Sequence, residues 1–157
     1  MQTVKKLIKI TLKYLFIAAF CGLIYSGIEL LWRGRTAPEM FFLAGICGLF
    51  ICWLNNIFTY DLDYLLQIVV SGIFCTGAEW ICGLLFNKDY HIWDYRGLPL
   101  SSLDGQICLL FSLAWCLIAA FTIPLLDWIE WKLFKYREDT PPYYMVLGRK
   151  VFEFKKG

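Results

Sequence analysis

The sequence contains few charged residues and a single histidine. Charged residues make up 18% of the chain and hydrophobic residues 59%, which leaves too little polar sequence to cover a soluble globule of 157 residues. His91 alone cannot form a metal site, and the GxxxxGK[ST] motif that binds nucleotide phosphates does not occur. The composition therefore indicates a membrane protein, and neither a cofactor nor an ATPase site is predicted within it.

The cysteines give no sign of a metal or redox site either. All seven lie within long apolar runs, and none has the CxxC spacing. We interpret them as small, soft residues of helix packing.

Four apolar runs are long enough to cross a bilayer as helices, which takes about 20 residues. They lie at 14–32, 40–58, 64–86 and 107–126. The sequence thus predicts an all-α integral membrane protein, with a four-helix transmembrane domain over 1–137 and a short cytoplasmic tail over 138–157. Gly148 and Arg149 lie between two apolar runs of the tail and predict a β-hairpin turn.

The distribution of Lys and Arg predicts the orientation of the chain. Four of them precede the first run and seven follow the fourth, with none at 55–63, whereas the two alternate connections together hold four. Because positive residues favour the cytoplasmic side, both termini are expected in the cytoplasm. The net charge of +2 follows from this pattern, and no basic stripe indicates binding to nucleic acid.

An internal repeat relates the two halves of the chain. GLIYSGIE at 22–29 aligns with GIFCTGAE at 72–79, and ICGLF at 46–50 aligns with ICLLF at 107–111. The repeat predicts two parallel helical hairpins related by a pseudo-two-fold axis along the membrane normal. Under this hypothesis the first and third helices contact each other near Gly22 and Gly72.

Two glutamates end the repeated segments and lie inside apolar runs. Glu29 and Glu79 each share a helical stripe with small residues, which favours a position against another helix. A charge at mid-membrane costs on the order of 3 kcal/mol on insertion scales. Arg33, one turn away, is expected to pair with Glu29, whereas the partner of Glu79 must come from elsewhere. The carboxylates either bind a cation, a proton or a polar substrate in an outward-facing cavity, or serve as hydrogen-bonding groups between helices.

The longest polar connection, 87–106, is expected on the same side of the membrane as both glutamates. It combines aromatic residues suited to the interface, a Gly-Leu-Pro turn signal and alternating charges. Asp94, Arg96 and Asp104 could reach back over the glutamates. Alternatively, the loop only anchors the helix ends.

Four motifs carry a resemblance to a known family. YSGIELLWRGR, GAEWICGLLFN, WDYRGLPL and GQICLLFSLAW, in this order, resemble the CmpB-like, ABC-transporter type IV permeases, small bacterial membrane proteins. The resemblance runs from about residue 25 to 144. Arg96 and Ser101 stand where the family usually has Ser and Asn. The recurrent family positions correspond to Glu29, Arg33, Gly34, Asn55, Gln67, Glu79, Gly83, Trp93, Asp94, Tyr95, Pro99, Gly105 and Gln106.

The resemblance implies a small permease or transporter component in the bacterial plasma membrane. Its partners would be the lipid bilayer and either a separate ATPase subunit or further copies of the chain. A non-catalytic scaffold or regulator is the alternative. An enzyme is less well supported because the sequence lacks a nucleophile constellation. A proton-coupled exporter similar to small multidrug transporters is also less well supported, because those transporters lack the Trp-Asp-Tyr box. The residues expected to bind substrate or ion are Glu29, Glu79, Arg33, Asp94, Trp93, Tyr95 and Gln106.

Overall fold

A computed structural model of the chain describes residues 2–137 and 139–155. Its four long helices are α1 (Gln2–Arg33), α2 (Pro38–Phe58), α3 (Tyr64–Phe86) and α4 (Leu109–Lys132). All four are long and apolar enough to cross a membrane. The predicted all-α membrane fold with four transmembrane helices is therefore confirmed, while the duplication of the hairpins stays a prediction.

Three helices extend beyond their predicted apolar runs, and α2 does so by only two residues at its start. α1 begins at Gln2 instead of residue 14 because the Lys-rich segment before the run contains no Gly or Pro to interrupt a helix. α4 begins at Leu109 instead of residue 107, since the two preceding residues form a short strand, and it continues past Pro124 to Lys132. α3 has the predicted bounds.

Four short strands form two antiparallel pairs. β1 (Ser101–Ser102) pairs with β2 (Ile107–Cys108) in the connection between α3 and α4, and β3 (Tyr143–Val146) pairs with β4 (Arg149–Glu153) in the tail. Leu147 and Gly148 form the tail turn with φ of 49° and 76°. This turn lies one residue earlier than predicted, because a two-residue hairpin turn of type I′ needs positive φ at both central positions.

The chain divides into two compact units, 1–49 and 50–157. In the first unit, α1 and α2 approach each other closely at glycines. A Cβ on Gly45 would lie 2.9 Å from the carbonyl oxygen of Ala18, and one on Gly22 would lie 2.7 Å from the carbonyl oxygen of Phe41. Small residues at such contacts let membrane helices pack backbone to backbone.

In the second unit, α3 and α4 make a corresponding close contact. The atoms nearest to a Cβ added at Gly72 belong to Cys116 of α4. Phe74 of α3 also stacks on Phe50 of α2, with ring centroids 3.8 Å apart. The close approaches at Gly22 and Gly72 are thus made to the other helix of the same hairpin. The predicted contact between the first and third helices stays a prediction.

Unlike a soluble domain, the helices expose many large apolar side chains and bury several polar ones. Ile73 and Phe121 are 67% and 71% exposed, whereas Gln67 and Asn87 are fully buried. Apolar side chains facing outward and polar ones facing inward are typical of helices surrounded by lipid.

Candidate binding site around Glu79

Polar side chains of the second unit cluster at its two ends. We call the loop end the C-terminal part of α3, the connection 87–108 and the start of α4. The tail end consists of the end of α2, the start of α3, the end of α4 and the pair β3–β4. Glu79 lies about two turns before the end of α3 and is 1% exposed.

The Glu79 carboxylate accepts hydrogen bonds on both oxygens. The Tyr95 hydroxyl donates to Oε1 at 2.9 Å, and the indole Nε1 of Trp115 donates to Oε2 at 3.2 Å. Tyr95 lies in the connection and Trp115 in α4, so the carboxylate joins three segments. Hydrogen bonds to a carboxylate are stronger than those between neutral groups, especially away from water. The two donors therefore fix the carboxylate in one orientation.

Tyr95 is itself held in place by the connection and by α4. Its amide donates to the carbonyl oxygen of Gly105 at 3.1 Å, and its ring stacks on Phe111 with centroids 4.5 Å apart. Gly105 has a φ of 77°, and a Cβ there would lie 2.7 Å from the amide nitrogen of Arg96. Only glycine fits this position without strain.

Asn87 organises the rest of the loop end from the end of α3. Its Nδ2 donates to the carbonyl oxygen of Trp93 at 2.7 Å and to Oε1 of Gln106 at 3.2 Å, and its Oδ1 accepts from the amide of Ile92 at 2.9 Å. Gln106 returns a bond from Nε2 to the Asn87 carbonyl at 3.1 Å. Asn87 was not among the predicted site residues, although Asn at a helix C-terminus is a common signal for a change of chain direction.

Trp93 and Gln106 hold the loop in position. The indole Nε1 of Trp93 donates to the Gln106 carbonyl at 2.9 Å. Both side chains pack on Gly83, where a Cβ would lie 3.2 Å from Cζ2 of Trp93. The two predicted site residues are thus one turn of helix away from Glu79 and hold the connection against α3.

Asp94 and Arg96 form an exposed pair on the surface of the loop. Nη2 of Arg96 donates to Oδ2 of Asp94 at 2.7 Å, and its guanidinium lies 3.7 Å from the ring centroid of Tyr90. Hydrogen bonds from Arg96 lower the pKa of Asp94 to about 2. That these side chains reach back over the glutamates stays a prediction.

A shallow cavity of about 560 Å³ lies on the outer surface of the loop. Glu79 is not among the residues that line it. Within the described part of the chain, no group of three or more His, Cys, Asp or Glu residues is placed to hold a metal ion. The lining consists of Tyr90, Arg96, Leu98, Leu100, Ser101, Ser102, Asp104 and Gly105.

Glu29 lies in the first unit and is 7% exposed. Its Oε1 accepts from Nη2 of Arg33 at 2.5 Å, which is the predicted pair, and its Oε2 accepts from the Thr36 hydroxyl at 2.6 Å. Because Thr36 lies between the two helices, the carboxylate ties the end of α1 to the connection that leads into α2.

The tail end contains a buried acidic cluster formed by Asp127 and Glu130, which was not among the predicted site residues. Asp127 and Glu130 are each 2% exposed. Oδ2 of Asp127 accepts from Nδ2 of Asn55 and from the Tyr144 hydroxyl, both at 2.7 Å, and Oε1 of Glu130 accepts from Nδ2 of Asn56 at 3.2 Å. Two acids about one turn apart in DWIEW were the available signal.

Arg137 and Tyr144 attach the chain beyond α4 to this cluster. The Arg137 guanidinium donates to the carbonyl oxygens of Asn55 and Asn56 at 3.0 and 3.4 Å, which satisfies main-chain acceptors at the end of α2. Burial and the neighbouring Asp127 raise the pKa of the Tyr144 phenol. The tail strands are therefore docked on the helices and do not stand alone.

A protein family matches residues 13–148 of the chain, and its description is "Putative ABC-transporter type IV". The chain belongs to this family. No curated protein and no solved structure matches the chain. Membership agrees with the four membrane-spanning helices and makes the chain an ABC-transporter-type membrane protein.

Proposed function

We propose that this protein is the membrane component of a transporter in the bacterial plasma membrane, and that Glu79 binds a proton or a small cation during transport. The loop end would face the outside and both termini the cytoplasm. The family and the four spanning helices support transport, and the distribution of Lys and Arg supports the orientation.

The contact between Tyr95 and Glu79 carries this proposal. A carboxylate that is 1% exposed receives a bond from a residue of the connection, so movement of the connection would uncover it. Buried carboxylates in membrane helices are costly, and they are usually placed where function needs them. Closing and opening over one carboxylate is the kind of movement that alternating access requires.

The other predicted site residues would support Glu79 in different ways. Trp93 and Gln106 keep the connection against α3 through their mutual hydrogen bond, and Asp94 would face the outside beside Arg96. Glu29, with Arg33, is the repeat-related carboxylate, and its involvement in the same transport cycle is part of the proposal.

The partners follow from what the sequence contains. It has no GxxxxGK[ST] motif, so ATP hydrolysis would need a separate ATPase subunit. A homo-oligomer driven by an ion gradient would need no such subunit.

A scaffold is the second candidate, and one observation favours it. Both oxygens of Glu79 already accept hydrogen bonds from side chains of the protein, as a carboxylate that only fixes packing would. Under this alternative, replacement of the carboxylate changes stability but no transport activity.

The test is ion flux into vesicles that contain the purified protein. Uptake of H⁺, Na⁺ and K⁺ is followed with ion-sensitive dyes under an imposed membrane potential. Glu79→Gln keeps the shape of the side chain; its amide oxygen can accept from Trp115 and its amide nitrogen can donate to the Tyr95 hydroxyl, so we expect it to fold and insert but to lose the flux of the wild type. Asp89→Asn, which removes an exposed carboxylate of the same loop, is the control and should keep full flux. Wild-type flux in Glu79→Gln would reject the role of Glu79, and no flux of the three ions in the wild type would reject transport by the chain without an ATPase subunit.

A further inference from the structure

The buried polar groups of α3 differ in whether they have hydrogen-bond partners. Glu79 has donors on both oxygens. Toward the tail end, Gln67 and Ser71 are both fully buried, yet Oε1 of Gln67 and Oγ of Ser71 have no hydrogen-bond partner among the described residues. Buried polar atoms almost always have a partner, which is often an ordered water. These two atoms therefore point to an additional group beside α3.

Gln67 and Ser71 belong to a row that leads to Glu79. Gln67, Ser71, Cys75 and Glu79 follow one another at intervals of four residues, and each is at most 1% exposed. Residues four apart lie on successive turns of one ridge, with a rise of about 6 Å per step. We call this set the α3 polar row. It extends from the first turn of α3 at the tail end over about 18 Å to the carboxylate.

The orientation of the two unpartnered groups restricts what can bind there. Nε2 of Gln67 donates to the Leu62 carbonyl at 2.8 Å, which fixes the amide and leaves Oε1 as an acceptor. A serine in a helix usually bonds to the carbonyl one turn earlier, as Ser112 does to Cys108 at 3.2 Å. The Ser71 hydroxyl lacks this bond. A molecule that binds both residues would donate a hydrogen bond to the Gln67 amide oxygen and pair with the Ser71 hydroxyl. Water does both.

We propose that the α3 polar row binds a file of water molecules that leads from the tail end to Glu79. The inference rests on the proposed function in treating Glu79 as the binding group. With Tyr95 closing the loop end over the carboxylate, the file gives Glu79 a hydrogen-bonded connection to the solvent at the tail end. A proton can then reach or leave the carboxylate through water while the loop stays closed.

The first test is hydroxyl-radical labelling of the purified protein in lipid nanodiscs. Radicals generated from bound water oxidise side chains beside that water, and mass spectrometry gives the oxidation of each cysteine. Cys75 lies in the row between Ser71 and Glu79, whereas Cys108 is equally buried and its thiol donates to the Pro99 carbonyl. We expect oxidation of Cys75 to be severalfold faster than that of Cys108. Equal protection of the two would overturn the file.

The second test compares two serine substitutions by thermal unfolding. If water fills the site, Ser71→Ala removes one of its ligands and should lower Tm by about 2–4 °C. If the site is dry, Ser71→Ala removes an unsatisfied hydroxyl, and an unchanged or higher Tm would contradict the proposal. Ser112→Ala, which removes a hydroxyl with a protein partner, measures the cost of an ordinary helix serine.

Neither test uses ion flux, so the two proposals can fail separately. Rapid oxidation of Cys75 without flux in vesicles would reject transport by the chain without an ATPase subunit and keep the file. Flux that depends on Glu79, with a protected Cys75, would reject the file and keep the proposed function.

Discussion

The loop end and the tail end both bury polar side chains, but they are assembled from different parts of the chain. At the loop end, Asn87 bonds to Trp93 and Tyr95 to Glu79, over 6 and 16 residues. At the tail end, Asn55 bonds to Asp127 over 72 residues. The loop end is thus a local structure that can open without separating the helices. Opening the tail end requires parting segments that are distant in sequence.

This difference suggests separate tasks for the two ends. A short loop costs little entropy to close again once it has opened, so under the proposed function the loop end would be the part that moves. The tail end joins α2, α3, α4 and the strands through the Asp127 cluster, and it is suited to hold the unit together while the loop end moves. Each prediction below tests one part of this comparison.

The largest effect is expected from Asn87→Ala at the loop end. The substitution leaves the Ile92 amide and the Trp93 carbonyl without their partner in a buried environment. We expect the free energy of unfolding to fall by about 2–4 kcal/mol, and the connection to become sensitive to protease. Lys88→Ala, at the adjacent exposed position, should change neither. A protease-resistant connection in Asn87→Ala would show that Asn87 does not lock the loop.

At the tail end, Tyr144→Phe tests whether the strands are held by the buried acid. The Tyr144 hydroxyl is one of two donors to Oδ2 of Asp127, and its loss should destabilise strand docking by about 1–3 kcal/mol. Hydrogen exchange of the β3 and β4 amides should accelerate roughly tenfold or more. Tyr143→Phe is the matched control, because that hydroxyl bonds to the exposed Asp61. Equal acceleration in both variants would remove Asp127 as the specific anchor.

The same comparison explains how much of the site could be predicted. Glu79 and Tyr95 were identified because a carboxylate in an apolar run and an aromatic box can be recognised from neighbouring residues. The pairing of Glu29 with Arg33 follows from helix spacing alone. By contrast, the contact of Asp127 with Asn55 and Tyr144 depends on how three segments meet, which no local pattern encodes.

The fold shows the same limit. The apolar runs predicted the number and type of helices, because each run has the length of about 20 residues that a helix needs to cross the hydrocarbon core. The fourth apolar run ends at residue 126 because Asp127 and Glu130 interrupt the apolar pattern, and burial of both acids lets the helix continue to Lys132. The tail turn differs by one residue because a positive φ at Leu147 depends on strand pairing.

A smaller effect is expected from Glu29→Gln in the first unit. The side chain loses its charge beside Arg33, whose own side chain is 25% exposed, so water compensates part of the loss. We expect a decrease of about 1 kcal/mol in the free energy of unfolding, and a weaker effect on flux than that of Glu79→Gln. A double-mutant cycle with Arg33→Gln isolates the pair. A coupling energy near zero would mean that the ion pair does not stabilise the end of α1.

The smallest effect should be a pH dependence at the tail turn. Asp63 accepts a bond from the Leu147 amide at 2.6 Å and also caps α3 through the amides of Leu65 and Leu66. The bond from Leu147 is the main cause that lowers the pKa of Asp63 below its ordinary value, which is about 3.9.

Because the folded-state pKa is lowered, the stabilisation from Asp63 is present above the ordinary value and is lost as the pH falls through the lowered one. The Leu147 amide resonance, followed by NMR from pH 6 to pH 2, should therefore shift with a midpoint below about 3.9. Asp63→Asn cannot titrate and should abolish the shift. A midpoint at or above the ordinary value would mean that the carboxylate does not hold the turn, and the docking of the tail would then depend on Asp127 and Tyr144.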